Sequence, residues 1–234
     1  MLSTVTDFYP ATVRMIEPSS EGQCFLTVDV PSRVWSCHTQ PSQHVEISLP
    51  GMKPWTATIA NRPGYEFFEF LVKDVGHRSH KVASLQPGDQ LEITIPEGAG
   101  FPVCAHRRQN IIMAATGVAI CAIRPVIMEI LLSRSDWRRV HLFYGERTAD
   151  RFAFIQERET WTQSSIEVYL SASKPSEGTY YRGHTGYVQH RLVEEAPDIS
   201  NTVAYLAGKD GMIDEFTTEL VRLGMTPNMI FLNL

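Results

Sequence analysis

The sequence predicts two domains: an N-terminal antiparallel β-barrel over residues 1–106, then a C-terminal α/β domain with a parallel sheet over residues 107–234. Three observations carry this. Short β-type runs separated by Pro, Gly and Asn turns fill the first hundred positions. After the polar link Cys104–Asn110, runs of strand length alternate with patterns of helical length, which implies a sheet covered on both faces. The change of rhythm falls at IIMAATGVAICAIRPVIMEILL, Ile111 to Leu132, where an apolar run passes Thr116-Gly117 and becomes an apolar helix.

The barrel strands are expected at Ala11–Ile16 and Cys24–Val30, around a turn at residues 18–22. His44–Leu49 alternates and stops at Pro50-Gly51. Trp55–Ala60 and the Phe-rich Glu66–Val72 flank the turn Asn61-Arg62-Pro63-Gly64, and Gln90–Ile95 follows Pro87-Gly88-Asp89. One short helix, His77–Leu85, falls between them. Gly98-Ala99-Gly100-Phe101-Pro102 closes the barrel. The α/β domain is expected to run strand Ile111–Ala115, helix Ile120–Ser133, strand Arg139–Tyr144, helix Ala149–Thr160 and strand Ser165–Ser171. A looser stretch, Lys174–Thr185, precedes helix Tyr187–Glu195, strand Thr202–Leu206, helix Met212–Leu223 and strand Met229–Leu232.

Composition narrows the function. A net charge of -5 leaves no basic footprint for nucleic acid. No apolar run is long and clean enough to span a bilayer, and the N-terminus has no secretory pattern, so the cytoplasm is the expected compartment, or an organelle if a transit peptide has been removed. The four cysteines, Cys24, Cys37, Cys104 and Cys121, show no CxxC spacing and read as reduced thiols, not as a metal or iron–sulfur site. Cys121 reads as a buried structural thiol. His77 and His80 read as helix surface, since no third ligand is near.

The strand–turn–helix unit at Thr116-Gly117 offers free N–H groups and a positive dipole end, which suits a phosphate. A barrel followed by such a domain suggests two ligands, one in the cleft between the domains.

Several segments extend this in order. Lys53-Pro54-Trp55-Thr56-Ala57-Thr58-Ile59-Ala60-Asn61 is followed by Phe70-Leu71-Val72-Lys73 and Gly76-His77-Arg78-Ser79. Then come Gly117-Val118-Ala119-Ile120-Cys121-Ala122, Tyr144-Gly145-Glu146-Arg147-Thr148 and Ala207-Gly208-Lys209-Asp210-Gly211-Met212. Over almost the whole chain they resemble the ferredoxin–NADP reductase-like flavoprotein superfamily. Within it the chain resembles small stand-alone FAD/NAD(P)-binding oxidoreductases and electron-transfer subunits of the dihydroorotate dehydrogenase kind. The resemblance implies an FAD-type barrel, with Lys53, Trp55, Thr56, Thr58, Ile59, Ala60 and Asn61 on the flavin and ribityl-phosphate. It implies Leu71, Val72 and Lys73 on the next strand, and Gly76, His77, Arg78 and Ser79 on the pyrophosphate. It also implies NADPH or NADH over Thr116, Gly117, Val118, Ala119, Arg147, Gly208 and Met212. Thr58 would be the catalytic donor near flavin N5, and Lys53 or Arg78 the cation on pyrophosphate.

The chain departs from the family pattern at defined places. Trp55 and Ala57 stand at the Arg and Tyr of its Arg-x-Tyr-Ser/Thr motif. Val118, Ala119 and Ala122 stand in its Gly-Thr-Gly-Ile-Ala-Pro-type loop, and Ala207 stands at its nicotinamide-side cysteine. A methyl at a close-approach glycine displaces a phosphate. Trp55 then reads as a replacement ring or as barrel core. Arg147 reads as a 2′-phosphate ligand or as a surface Arg. Phe231 is the aromatic nearest the C-terminus and reads as strand core. Two functions follow. One is an FAD-dependent NAD(P)H oxidoreductase passing electrons to a small molecule or redox protein. The other is a reductase-like flavin-binding or interaction subunit with weakened or lost nicotinamide binding.

Overall fold

The structure, a computed structural model, describes residues 7–73, 81–175, 181 and 183–233. Strands β1 (Tyr9–Ser20), β2 (Gln23–Asp29), β3 (His44–Ser48), β4 (Trp55–Thr58), β5 (Phe67–Lys73) and β6 (Gln90–Ile93) form one antiparallel sheet. Their order is β4-β3-β6-β1-β2-β5. The sheet winds round so that its outer strands approach, the Ala60 N–H donating to the Glu69 carbonyl at 2.7 Å. Alternation fills the inside with Val13, Leu26, Val28, Val45, Ile47, Phe68 and Phe70. A short helix, α1 (Ser32–Trp35), buries Val34 in this core and has no periodic signature in the sequence. Most of the expected helix His77–Leu85 lies outside the described residues; residues 81–83 are helical.

The second sheet is parallel. It contains β7 (Asn110–Thr116), β8 (Val140–Glu146), β9 (Ile166–Ala172), β10 (His184–Thr185), β11 (Thr202–Ala207) and β12 (Ile230–Asn233), in the order β10-β9-β8-β7-β11-β12. Helices α2 (Ile120–Leu132) and α3 (Ile155–Gln163) cover one face, while α4 (Val188–Glu195) and α5 (Asp210–Arg222) cover the other. Every residue from Ile111 to Ala115 is buried, Ile111 and Met113 toward one layer and Ile112 and Ala114 toward the other, as a doubly covered sheet requires. The expected helix Ala149–Thr160 divides in two. A single turn, Ala149–Arg151, is followed by a break at Phe154, which sits at φ 56, ψ 41 before α3 begins. β10 falls in the stretch expected to be loose and adds an edge pairing of His184 with Ser171.

The two sheets meet through one face of the barrel. On β5, Glu69, Leu71 and Lys73 point outward, and on paired β2 so do Gln23 and Phe25. Leu71 enters the core of the α/β half, and Phe25 packs edge-on against Phe154 with ring centroids 5.6 Å apart. Helix α2 therefore lies between sheet and barrel and is buried from Ile120 through Ile127, which explains its apolar character all round.

Candidate functional site

β7 is the first strand of the parallel sheet in chain order. The next strands, β8 and β9, build to one side of it, and the later strands β11 and β12 to the other. The chain reverses direction of growth between β7 and β11, the place where open α/β sheets form a ligand crevice at the carboxyl ends of the strands. A cleft of about 650 Å³ opens there. Thr116 and Gly117 line it from the end of β7, Gly145–Arg147 from β8, Ser171, Ser173 and Lys174 from β9, and Lys209 and Met212 from the start of α5.

Two glycines give the cleft its shape. A Cβ on Gly208 would stand 2.5 Å from Thr116 Oγ1 and 2.4 Å from Met212 Cε, so the ends of β7 and β11 approach closely only without one. Gly117 sits at φ +60 with open space around its absent Cβ. It starts the single turn Gly117–Ala119 that leads into α2; the Ile120 N–H bonds back to Gly117 O, and the N–H groups of the turn, which open the helical segment, have no helical carbonyl ahead of them. Among the described residues, five cations line the cleft: Lys73 from the barrel, and Arg147, Arg151, Lys174 and Lys209 from the α/β half. A glycine cradle, a helix start and clustered cations form a donor set that fits a dinucleotide diphosphate.

Glu146, which lines the cleft with Glu215, lies beside Arg147. It accepts from the Tyr144 hydroxyl at 3.2 Å, from Gln23 Nε2 at 3.4 Å and from the Arg147 N–H at 3.4 Å. Burial pushes its carboxyl above the usual range, against the opposing pull of those bonds and of Lys73. The loops after β8 and β9 are tied together, Ser173 N donating to Glu146 O at 2.9 Å and Lys174 N to Arg147 O at 2.7 Å. That brings the side chains of Arg147 and Lys174 to one end of the cleft.

Thr116, Gly117, Arg147 and Met212 thus come together with Lys73, which the sequence reading had assigned to the flavin side. Gly208 sits immediately behind, shaping the crevice. Val118 and Ala119 lie at the helix start, but their side chains pack against the core cluster and do not line the cleft. The side chains that mark the departure from that glycine loop are therefore half-buried against the core. Sequence reading did not single out Ser173, Lys174 or Arg151 as ligand residues; their common signal is position just past a strand's carboxyl end, visible only with the strand ends fixed.

On the barrel the outcome is different. Trp55 and Ala57 pair with Ile47 and Val45, which are fully buried, so both point inward, and the Trp55 ring packs in the barrel core. Ile59 and Ala60 are fully buried, and their N–H groups donate to Gln43 O and Glu69 O. Asn61 closes the β4–β5 turn, Nδ2 donating to Phe67 O at 2.9 Å while Oδ1 accepts from Glu69 N at 3.0 Å. Val72 points into the barrel, and Leu71 is buried against α2. The side chains of these residues shape the strands and their packing. Lys53 and Thr56 are exposed. Thr58 is half-buried at the end of β4, and no other described group engages its hydroxyl, which suits a donor to a flat heteroaromatic ring. Gly76, His77, Arg78 and Ser79 lie outside the described residues. Cys121 is buried, and desolvation pushes its thiol up to about 12, which leaves it inert as a nucleophile.

A family model of the oxidoreductase NAD-binding domain matches residues 113–218. The ferredoxin NADP+ reductase from Neisseria gonorrhoeae, solved with bound FAD and NADP, has the same fold, with a TM-score of 0.81 over 96% of this chain and 97% of that one at 14% identity. The chain shares the two-domain fold of a ferredoxin–NADP reductase, and residues 113–218 match the oxidoreductase NAD-binding domain. Two of the similar proteins are named as subunits. The gamma subunit of sulfhydrogenase 1 from Pyrococcus furiosus is 24% identical over 200 residues, 83% of this chain and 68% of that protein. The probable dihydroorotate dehydrogenase B (NAD(+)) electron transfer subunit of Methanopyrus kandleri is 28% identical over 177 residues, 74% of this chain and 61% of that protein. No helix among the described residues is long and apolar enough to cross a membrane.

Proposed function

We propose that this chain is an FAD-dependent oxidoreductase that takes hydride from NADPH and passes electrons to a separate acceptor, a small molecule or a redox protein. The observation that carries the reading is the cleft at the β7–β11 reversal, where a barrel lysine joins four α/β cations around a glycine-shaped helix start. When bound, FAD supplies the hydride acceptor and the electron store. The chain's own residues bind and orient. The N–H groups of Gly117–Ala119, with Lys73 and Lys209, hold the dinucleotide diphosphate. Thr116 and Met212 border the nicotinamide end, and Thr58 offers its hydroxyl or N–H to the flavin ring edge. The barrel is residues 1–106 and the nucleotide domain residues 107–234, acting in the cytoplasm.

NADPH is favoured over NADH by the far end of the cleft. Arg147, Ser173 and Lys174 converge there as two cations and a hydroxyl, a set that suits a 2′-phosphate. Glu146, the carboxylate that would otherwise take a ribose diol, already accepts from three donors. The reading of a subunit with lost nicotinamide binding rests on Val118, Ala119, Ala122 and Ala207 together; Ala122 and Ala207 are buried, and Val118 and Ala119 are half-buried against the core. Calorimetric titration with NADP+, NAD+ and 2′-phospho-AMP, together with identification of any chromophore released on denaturation, tests the reading. FAD release with NADP+ and 2′-phospho-AMP binding is expected. A colourless protein that binds none of the three would overturn it.

A further inference from the structure

Helix α2 belongs to the α/β half by chain position, yet neighbouring residues at its start are fastened to the barrel. Cys121 shares a core cluster with Leu71 of the barrel, and the Ser42 hydroxyl donates to the Ala122 carbonyl. Arg124 makes the largest connection. Its Nη1 donates to the Ala60 carbonyl at 2.8 Å and to Glu69 Oε2 at 2.6 Å, and its Nε donates to Glu157 Oε2 at 2.8 Å. The Phe25 and Phe154 rings flank the guanidinium, with centroids 5.3 and 5.0 Å away. Ala60, Glu69 and Phe25 come from the barrel, Glu157 and Phe154 from the α/β half. The left-handed backbone of Phe154, at φ 56, belongs to the same contact and costs on the order of 1 kcal/mol or more for a non-glycine residue.

The barrel side of this contact is itself rigid. Ala60 N donates to Glu69 O, and Asn61 clamps Glu69 N and Phe67 O. That ties the end of β4, with Thr58, to β5, with Lys73. About two helical turns upstream of Arg124, the turn that begins at Gly117 leads into the same helix beside the cleft. A buried ion pair adds little net stability over apolar residues of similar size, and its better-attested use is to select one arrangement.

We infer that Arg124 is a positioning residue: it fixes the β4–β5 turn of the barrel against the start of α2, and so sets the distance between hydride donor and acceptor. The inference rests on the function proposed above. An arrangement disturbed by about 1 Å lowers a transfer rate by about 100-fold. Anaerobic stopped-flow bleaching of the flavin by NADPH reads this directly. In Arg124→Met the limiting rate at saturating NADPH is expected to fall about 100-fold while the NADP+ dissociation constant stays within about threefold. Arg124→Lys keeps the charge but not the fork, and is expected to recover about tenfold of that loss. Glu69→Gln, which weakens the contact between halves, should lower the limiting rate more than Glu157→Gln, which weakens one within a half. A limiting rate in Arg124→Met within about twofold of the parent, whatever the melting temperature, would overturn the inference. So would a larger loss in Glu157→Gln than in Glu69→Gln.

Hydrogen exchange on the same proteins without added nucleotide separates this inference from the function beneath it. Arg124→Met is expected to speed exchange in both the 59–69 turn and α2 while leaving β3 and β6 protected. Faster exchange in α2 alone would mean that Arg124 does not couple the halves. If neither nucleotide bleaches the parent protein, the function fails on its own account and the exchange pattern alone decides the coupling. If Arg124→Met does not fold, Glu69→Gln carries both measurements.

Discussion

The parallel sheet and the barrel reached their ligand-type residues by different rules. In the parallel sheet, all strands run the same way, so any residue just past a strand end lies on one rim. Thr116, Arg147, Lys174 and Lys209 are far apart in sequence and meet there for that reason. In the barrel, neighbouring residues on one strand face opposite ways. Trp55 and Thr56 are adjacent, yet Trp55 is in the core and Thr56 is exposed. A motif placed correctly along the chain can therefore still point a side chain the wrong way.

Trp55 gives the largest test of the contrast. As a core residue, Trp55→Ala is expected to cost about 3–5 kcal/mol of stability in denaturant unfolding. If Trp55→Ala leaves stability unchanged while lowering flavin content, Trp55 is a ligand residue after all and the contrast fails. His38 provides a second barrel test. It is buried edge-on against Phe68 at 5.5 Å, and desolvation lowers its imidazole to about 4. The unfolded chain, with an imidazole near 6.5, binds the proton first as pH falls. Stability is thus fully present above about 6.5 and declines as pH drops toward 4, by up to about 3 kcal/mol. His38→Leu should remove this part of the acid slope. His141, buried in the other half and also lowered by desolvation, leaves its own smaller part in place.

On the parallel-sheet side, Gly208→Val should weaken NADP+ binding about 100-fold, about 2.7 kcal/mol, because the side chain would occupy space held by Thr116 and Met212. Unchanged binding would remove the crevice from the account. Lys73→Met, the smallest of these effects, should weaken NADP+ binding about tenfold at low salt and less at high salt. A loss of flavin with unchanged nucleotide binding would return Lys73 to the flavin side, where the sequence had placed it.

These residues also show what the sequence made legible. The strand–turn–helix at Ile111–Leu132 was visible because an apolar strand, Thr116-Gly117 and a long apolar helix are local signals. The strand order, with β7 in the centre, was not, since alternation implies a parallel sheet without fixing which strands are neighbours. The face of Trp55 was not visible, since it depends on pairing with Ile47. The outward row Glu69, Leu71 and Lys73 was hidden for the same reason: it has meaning only when α2 and the cleft are opposite. The contacts of Arg124 were not visible either, because its partners Ala60, Glu69 and Glu157 lie far away in sequence. The break at Phe154 was missed because an aromatic residue carries no left-handed signal; the fold holds it there through Phe25 and Arg124.

The most direct test of the central claim is an anaerobic visible titration of the purified protein with NADPH and with NADH. The account expects a yellow protein whose flavin absorbance is bleached by NADPH at lower concentration than by NADH. A yellow protein that neither nucleotide bleaches would contradict it.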